Sequence, residues 1–150
     1  MRAEELWKQS GLTGDHEMWA FSDAPDKLAK LVMDGIKTAT CSSYDACLAR
    51  GEAIPKVGDY SIILDSEGDA VCIVQTVKVT VLPFREVGAE QAYKEGEGDR
   101  SLAYWRQVHE EFLRKELASI GKDFDEDALV ICEEFSIVYV PKSLLSSFGA

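Results

Sequence analysis

The chain has 150 residues, 46% of them hydrophobic and 29% charged, which is typical of one folded domain with a hydrophobic core, and we expect one domain over 1–150. A net charge of −11 argues against binding long duplex DNA, since lysine and arginine supply most of that affinity, but leaves room for a local cleft that takes a nucleotide or a short single strand. The sequence has neither a membrane-spanning apolar run nor a signal core, so we expect a cytoplasmic protein.

The first 21 residues predict a short helix followed by a short extended segment. Residues 1–12 fit a helix, and 17–21 are too short and aromatic for a second one. If 17–21 is a strand, Trp19 and Phe21 lie on one face, because side chains alternate along a strand. This pair is either part of the core or a platform on which a base stacks.

A second helix is predicted to lead into a glycine turn. Ser22–Asp26 combines capping side chains with a proline, which is a signal for the start of a helix. The helix is expected to run to about Asp34, where Gly35 is placed to adopt the left-handed conformation that ends helices. The residues from Ile36 to Cys41 are rich in β-branched side chains and are expected to be extended.

The remaining elements alternate between strands and helices, and the predicted strand partners are mostly neighbours in sequence. A polar, glycine-containing loop at Ser66–Asp69 predicts an antiparallel hairpin. The order indicates an antiparallel α+β fold, with the option of a small closed barrel that has helices packed on it. The predicted elements are a short helix or turn over 43–50, strands over 60–65 and 70–81, helical turns over 87–93, a long helix over 100–119, a strand over 129–140 and a peripheral tail to Ala150.

The four cysteines form no recognisable metal or redox motif. Cys72 and Cys132 lie in strand-like runs, where a free cysteine behaves as a small hydrophobic residue. None of the four, which also include Cys41 and Cys47, is in a Cys-x-x-Cys pair. We expect structural thiols.

Lys37 and Thr40 are the first candidates for chemistry. A lysine beside a hydroxyl acts as a general base when its surroundings lower its pKa, or it stays charged and stabilises an anion. In a regular strand these two side chains point to opposite faces, so they converge only if the strand begins irregularly after Gly35. The alternative is an ordinary solvated strand face.

The acidic segment from Glu95 to Asp99 is the second candidate. Two glycines among three acids suggest a flexible segment outside the core. It is a solvated loop with Asp99 as a helix cap, or it places Glu95 or Glu97 beside Lys37, or its carboxylates hold a divalent cation. Arg100 and Ser101 follow at a helix start, where free backbone N–H groups can receive an anion.

His109 lies on the apolar stripe of the long helix, one turn from Trp105. A histidine in this position is expected to belong to the core, with one ring nitrogen hydrogen-bonded. His16 lies in a polar loop and carries no functional signal.

Several of these segments resemble the ASCH (activating signal cointegrator homology) domain of the PUA-like superfamily. Gly35–Thr40 fits its Gly-x-Lys-x-x-Thr pattern, and the resemblance covers roughly residues 15–140. It implies a barrel of about five or six strands with flanking helices and a cleft lined by the Gly-x-Lys-x-x-Thr segment. The other matching segments are Trp19–Phe21, Val57–Tyr60, Pro83–Phe84, Glu95–Leu102, Tyr104–Trp105, His109 and Cys132–Phe135.

The resemblance implies a protein directed to RNA or to modified nucleosides. One branch of the superfamily resembles an N4-acetylcytidine amidohydrolase that uses Lys, Thr and Glu, and another is linked to ribonuclease cleavage of single-stranded RNA. The chain is longer than the compact amidohydrolases and has an additional long helix. Carried over by motif, the expected catalytic residues are Lys37, Thr40 and either Glu95 or Glu97.

Two classes of function therefore remain open. The chain is a hydrolase acting on single-stranded RNA or an acylated nucleoside, or it is a non-catalytic RNA- or nucleotide-binding module. We expect no dedicated metal site, although a divalent cation on the acidic loop stays an option, and the sequence does not determine the oligomeric state. The expected substrate-binding residues are Trp19, Phe21, Thr38, Arg100, Ser101 and Trp105.

Overall fold

This computed structural model describes residues 1–142, which contain five strands and five α-helices. The part of the predicted C-terminal tail that covers residues 143–150 lies outside the described residues. The strands are β1 (Glu17–Ala20), β2 (Ala39–Ser43), β3 (Tyr60–Leu64), β4 (Ala70–Pro83) and β5 (Leu129–Tyr139). The helices are α1 (Ala3–Ser10), α2 (Pro25–Met33), α3 (Tyr44–Ala49), α4 (Ala89–Glu95) and α5 (Leu102–Ala118).

The strands form one mixed sheet that curls into a half-barrel, which confirms the predicted α+β class with flanking helices. Their order is β1-β3-β4-β5-β2, with β1 parallel to β3 and the other pairs antiparallel. The predicted hairpin is confirmed by the pairing of Tyr60 in β3 with Gln75 in β4. The edge strands β1 and β2 leave the open side of the half-barrel between them.

The long strand β4 bends at Val77, because an extra residue there interrupts its pairing with β5. The alternation of side chains between the two faces of β4 is therefore interrupted after Thr76. Before the bulge, Cys72, Ile73 and Val74 are consecutive and all buried, because α1 packs on the face with Ile73 and α2 packs on the face with Cys72 and Val74. Bulges of this kind increase the local twist and help a sheet to curl.

Three hydrophobic clusters hold the helices on the sheet. Leu6 and Trp7 of α1 pack on Ile62 and Ile73, and α2 packs through Val32 on the centre of the sheet. The third cluster lies under α5, whose stripe of Trp105, His109, Leu113 and Leu117 is buried at four-residue steps. Side chains four residues apart share one face of a helix, so this stripe fixes which side of α5 faces the sheet.

All four cysteines are free and buried, as expected of structural thiols. Burial raises the pKa of the Cys72 thiol to about 12, which keeps it protonated and unreactive.

Within residues 1–142, none of the helices combines the length and the apolar character needed to cross a bilayer.

Candidate functional site

The segment between α2 and β2 turns Lys37 into the protein. Gly35 ends α2 with a φ of +75°, a conformation that glycine adopts without strain. The backbone N–H of Lys37 then donates to the Leu31 carbonyl at 3.0 Å, and that of Thr38 donates to Lys94 at 2.7 Å. Regular strand begins only at Ala39, whereas the sequence predicted extended backbone from Ile36. This irregular start removes the strand geometry that would have placed Lys37 and Thr40 on opposite faces.

Lys37 is buried, with 2% of its surface exposed, which rules out the solvated strand face. Its Nζ lies 3.0 Å from Glu97 Oε2, 3.3 Å from the Glu95 carbonyl oxygen and 3.6 Å from Glu95 Oε1. It also lies 5.4 Å from the centre of the Phe21 ring. Three oxygens therefore face the three donors of an ammonium group. In this arrangement Lys37 is a charged residue held between two carboxylates.

Glu95, the last residue of α4, is 1% exposed and receives hydrogen bonds from three side chains. Its Oε2 accepts from Trp105 Nε1 at 2.5 Å and from Gln91 Nε2 at 3.0 Å, and its Oε1 lies 3.2 Å from His109 Nε2. Burial alone would raise the pKa of Glu95, but the hydrogen bond and charge of His109, the charge of Lys37 and the indole N–H together hold this pKa below its usual value. Glu95 is therefore a buried anion.

Glu97 differs from Glu95 in exposure, although both face Lys37. Its side chain is 24% exposed, and Lys37 is its charged partner. The sequence left open which glutamate lies beside Lys37. Glu95 lies behind the lysine in the protein interior, and Glu97 lies in front of it at the wall of a cleft.

The two glycines of the acidic loop are fitted into close contacts. A Cβ on Gly96 would lie 2.6 Å from the Ile36 carbonyl oxygen, and one on Gly98 would lie 2.5 Å from the Tyr104 ring. Both also have positive φ angles, +74° and +60°. The prediction that this segment lies outside the core is therefore wrong for Glu95 and Gly96, which are buried, whereas Gly98 is exposed. The two glycines let the loop pass close enough for both carboxylates to reach Lys37.

A cleft of about 410 Å³ opens onto these residues and brings the predicted catalytic group together. Lys37, Thr40, Glu95 and Glu97 all line it, and so does Phe21. A second cavity of about 750 Å³ lies between the two edge strands and shares Phe21 and Thr40 with the first. Thr40 therefore stands where the two cavities meet.

Trp19 and Phe21 lie on the open side of the half-barrel. Their rings pack edge to face with centres 5.1 Å apart. Trp19 lines the second cavity, and Phe21 lines both. Their position suits contact with a ligand, which stays a prediction.

The other four predicted binding residues support the site instead of lining either cavity. The backbone of Thr38 links α4 to β5, because its N–H donates to the Lys94 carbonyl and its carbonyl accepts from the Phe135 N–H. Arg100 lies over the Tyr93 ring, and its guanidinium donates to the Tyr93 and Ile36 carbonyls at 3.0 and 3.3 Å. Ser101 caps α5 by accepting from the backbone of Tyr104.

Trp105 is placed differently from a residue that stacks a base. It is 3% exposed, and its ring lies between Phe84 and His109. Both faces are occupied by protein, so its indole N–H on Glu95 is the contribution that it makes to the site.

His109 was predicted as a core residue with one satisfied nitrogen, but both of its nitrogens have partners. Nδ1 lies 2.9 Å from the Trp105 carbonyl oxygen, and Nε2 faces Glu95. Gln91, which the sequence did not suggest, also hydrogen-bonds Glu95 and the Thr40 carbonyl. The available signal was the four-residue spacing of Gln91 to Glu95 and of Trp105 to His109, which places each pair on one helix face.

The acidic loop does not fit the divalent cation that the sequence left as an option. The carboxylates of Glu95 and Glu97 are turned to Lys37, which already supplies positive charge there. Within residues 1–142, no group of three or more His, Cys, Asp or Glu side chains is arranged to hold a metal ion.

The protein is therefore a small α+β domain with a half-barrel sheet. Its cleft contains a buried lysine between two carboxylates and is lined by residues of a Gly-x-Lys-x-x-Thr segment. The family model of the ASCH domain matches residues 17–139, and the chain belongs to this family. No curated protein matches the chain in sequence.

Two solved structures resemble the chain over nearly its full length. One is the ASCH domain from Lactobacillus crispatus JV V101, with 28% identity, a TM-score of 0.84 and coverage of 91% of this chain and 93% of that one. The other is a protein from Enterococcus faecalis V583, with 32% identity, a TM-score of 0.84 and coverage of 98% and 94%.

Proposed function

We propose that this protein is a hydrolase that removes an acyl group from the amino group of a nucleoside-like substrate. The observation that carries the proposal is the convergence of Lys37, Glu97 and Thr40 on one cleft. A buried lysine beside a carboxylate, with a hydroxyl on the same wall, supplies the base, the acid and the nucleophile of acyl transfer. One branch of the superfamily that the chain resembles uses the same residue types.

The charge of the cleft favours a nucleoside over an RNA strand. Nine Asp and Glu side chains line the two cavities, against Lys37, Arg50 and Lys115 as the fixed cations. Arg50 is itself paired with Glu116, which lines the same cavity. A polyanion would enter against this field, since affinity for a nucleic acid strand comes from neutralising its phosphates. An uncharged nucleoside meets no such barrier, and Phe21 and Trp19 offer it aromatic surface.

The proposed reaction begins with a proton transfer inside the lysine–glutamate pair. When substrate excludes water from the cleft, Nζ of Lys37 passes one proton to Glu97 Oε2. A neutral amine and a neutral acid are easier to bury than two ions, so removal of water favours this transfer. The 3.0 Å between the two atoms is a hydrogen-bond distance, so no rearrangement is needed.

Acyl transfer then uses both members of the pair. Thr40 Oγ1 attacks the carbonyl carbon of the substrate amide, and its proton moves to the neutral Lys37 Nζ. Glu97 gives its proton to the leaving amine as the C–N bond breaks, which leaves an acyl ester on Thr40. Water hydrolyses the ester, releases the acid and restores the threonine hydroxyl. At the end Lys37 is again an ammonium and Glu97 a carboxylate.

The experiment that tests this proposal incubates the protein with a panel of N-acylated nucleosides, including N4-acetylcytidine, and separately with single-stranded RNA. Products are separated by chromatography and identified by mass. We expect release of the free acid and the amine from at least one nucleoside, and loss of that turnover in Lys37→Met and Thr40→Val.

Two matched substitutions outside the cavities serve as controls. Lys30→Met changes an exposed lysine of α2 that is paired with Asp34, and Thr80→Val changes an exposed threonine of β4. Both should keep parent activity. Parent rates in Lys37→Met, or cleavage of RNA with no acyl release from any nucleoside, would contradict the proposal.

A second candidate is a non-catalytic nucleoside- or nucleotide-binding module. It is favoured by the three oxygens around Lys37 Nζ, because an ammonium with all its donors occupied also serves to hold the acidic loop in place. This candidate predicts saturable binding with no product after long incubation. This candidate would be favoured if the parent protein yields no product and Lys37→Met binds the same ligands with unchanged affinity.

A further inference from the structure

We infer that His109 of α5 is a positioning residue in the proposed reaction. It forms a buried pair with Glu95 that holds one proton, and the positive charge of this proton makes it easier for Lys37 to transfer its own. The catalytic part of this inference rests on the proposed hydrolase function. The position of the proton does not rest on that function, because it follows from the contacts of the two ring nitrogens.

The partners of the two ring nitrogens require two protons. Nδ1 lies 2.9 Å from the Trp105 carbonyl oxygen, and a carbonyl oxygen only accepts, so Nδ1 carries a hydrogen. Nε2 lies 3.2 Å from Glu95 Oε1, and an ionised carboxylate also only accepts. A proton must therefore lie between Nε2 and Oε1, because without it two lone pairs would face each other in a buried place.

The surroundings decide on which atom this proton lies. Trp105 Nε1, Gln91 Nε2 and Lys37 Nζ all present donors to Glu95, and three donors favour its ionised form. The imidazole ring is stacked on the Trp105 indole with centres 4.2 Å apart, a contact that favours a cationic ring. The proton is therefore on His109, and the pair is an imidazolium beside a carboxylate.

The titratable groups around this pair come from α5, from β2 and from the segments that flank α2 and α4. With His109 protonated, the buried group of His109, Lys37, Glu95 and Glu97 contains two positive and two negative charges. Without that proton it would carry an unbalanced negative charge behind Lys37. The other titratable groups on the cleft wall are Asp23 before α2, Cys41 in β2, and Glu111 and Lys115 at its mouth on α5.

This balance bears directly on Lys37. A carboxylate 3.6 Å from Nζ opposes the loss of a proton from the ammonium, and a positive charge on the far side of that carboxylate offsets the effect. Glu97 is then the carboxylate that exchanges a proton with Lys37, and Glu95 only holds the lysine in place. The additional helix of this chain thereby contributes a charge to the site.

The first test reads the proton directly by ¹⁵N nuclear magnetic resonance of the imidazole rings at neutral pH. The chain has two histidines, so His16→Gln leaves His109 as the sole ring and assigns its signals. We expect both nitrogens of His109 to show the protonated chemical shift and an attached hydrogen. An unprotonated Nε2 would overturn the inference, whatever the protein hydrolyses.

The second test compares the parent protein with His109→Gln, whose amide can still donate to Glu95 but carries no charge. On a hydrolysed nucleoside, we expect the rising limb of the kcat profile to move to higher pH at unchanged KM, because the positive charge behind Glu95 is lost. An unshifted profile would overturn the positioning role. If the parent protein hydrolyses nothing, the proposed function fails, and the nuclear magnetic resonance measurement still decides whether His109 holds the proton.

Discussion

Replacing Glu95 by glutamine tests whether the buried carboxylate holds the site and the surrounding fold together. The substitution preserves shape but replaces one acceptor oxygen with an NH₂ group. Each oxygen of Glu95 now receives at least two donors, from Trp105 and Gln91 on one side and from Lys37 and His109 on the other. Either orientation of the amide therefore turns a donor towards two donors.

The expected cost follows from the two lost charged hydrogen bonds and from the cations left without a partner. A hydrogen bond to a charged group contributes about 1.5–3 kcal/mol, and removing one partner of a buried ion pair costs about 3–5 kcal/mol. We therefore expect Glu95→Gln to lower the free energy of unfolding by about 3–5 kcal/mol. For a domain of this size that corresponds to a drop in Tm of about 6–20 °C.

The assay is urea unfolding followed by circular dichroism at neutral pH, with Glu97→Gln as the matched control. Glu97 loses the same charge, but its side chain is partly exposed and its charged partner is one lysine, so its replacement should cost about 1 kcal/mol or less. Equal losses in the two variants, or a loss below about 1 kcal/mol in Glu95→Gln, would refute the reasoning that Glu95 is the structural member of the pair.

Three further predictions use the same measurements. The folded pKa of Glu95 lies below its unfolded value of about 4.5, so the ionised Glu95 stabilises the parent protein, and this contribution should be lost as pH falls through the folded pKa. Glu95→Gln should not show that loss, and parallel plots of stability against pH for the two proteins would contradict the prediction. Glu133→Gln should leave stability at pH 7 unchanged or higher, because burial raises the pKa of Glu133 and its charge is unfavourable in place, so a loss above about 1 kcal/mol would be inconsistent with this account. Gly96→Ala should destabilise the protein and reduce turnover, since its Cβ would overlap Ile36. Gly51→Ala is the control, because Gly51 has a similar φ but its Cβ meets open space, so this variant measures the backbone strain alone. Equal effects of the two substitutions would show that the close approach of Gly96 to Ile36 is unimportant.

Local chemistry made much of the fold predictable. Pro25 at the start of α2, Gly35 after its end, the hairpin before β4 and the buried stripe of α5 are each determined by residues close together in the chain. The predicted capping side chains of α2 were wrong, because its N-cap residue is Ala24 and no side chain caps the helix. The Gly-x-Lys-x-x-Thr segment also indicated the family, which the match over residues 17–139 shows. These features depend on backbone conformation and hydrophobic periodicity, which a sequence displays directly.

The bulge at Val77 and the parallel pairing of β1 with β3 were not predictable in the same way. The bulge lies in a run of valines, threonines and lysine whose alternation continues without interruption in the sequence. Strand register depends on which partner lies opposite, and β4 is paired with both β3 and β5. No local pattern encodes that choice, because the paired residues are far apart in the chain, as Ile73 and Tyr139 are.

The sequence by itself determined the class of fold, the family and the candidate catalytic residues, which are Lys37, Thr40, Glu95 and Glu97. The tertiary structure alone decided that Lys37 is buried, that both glutamates face it and that α5 closes the site from behind with Trp105 and His109. The physical reason is that the state of a lysine or a carboxylate depends on burial and on the charges within a few ångströms. Those neighbours come from segments 58 to 60 residues apart, which only the folded chain brings together.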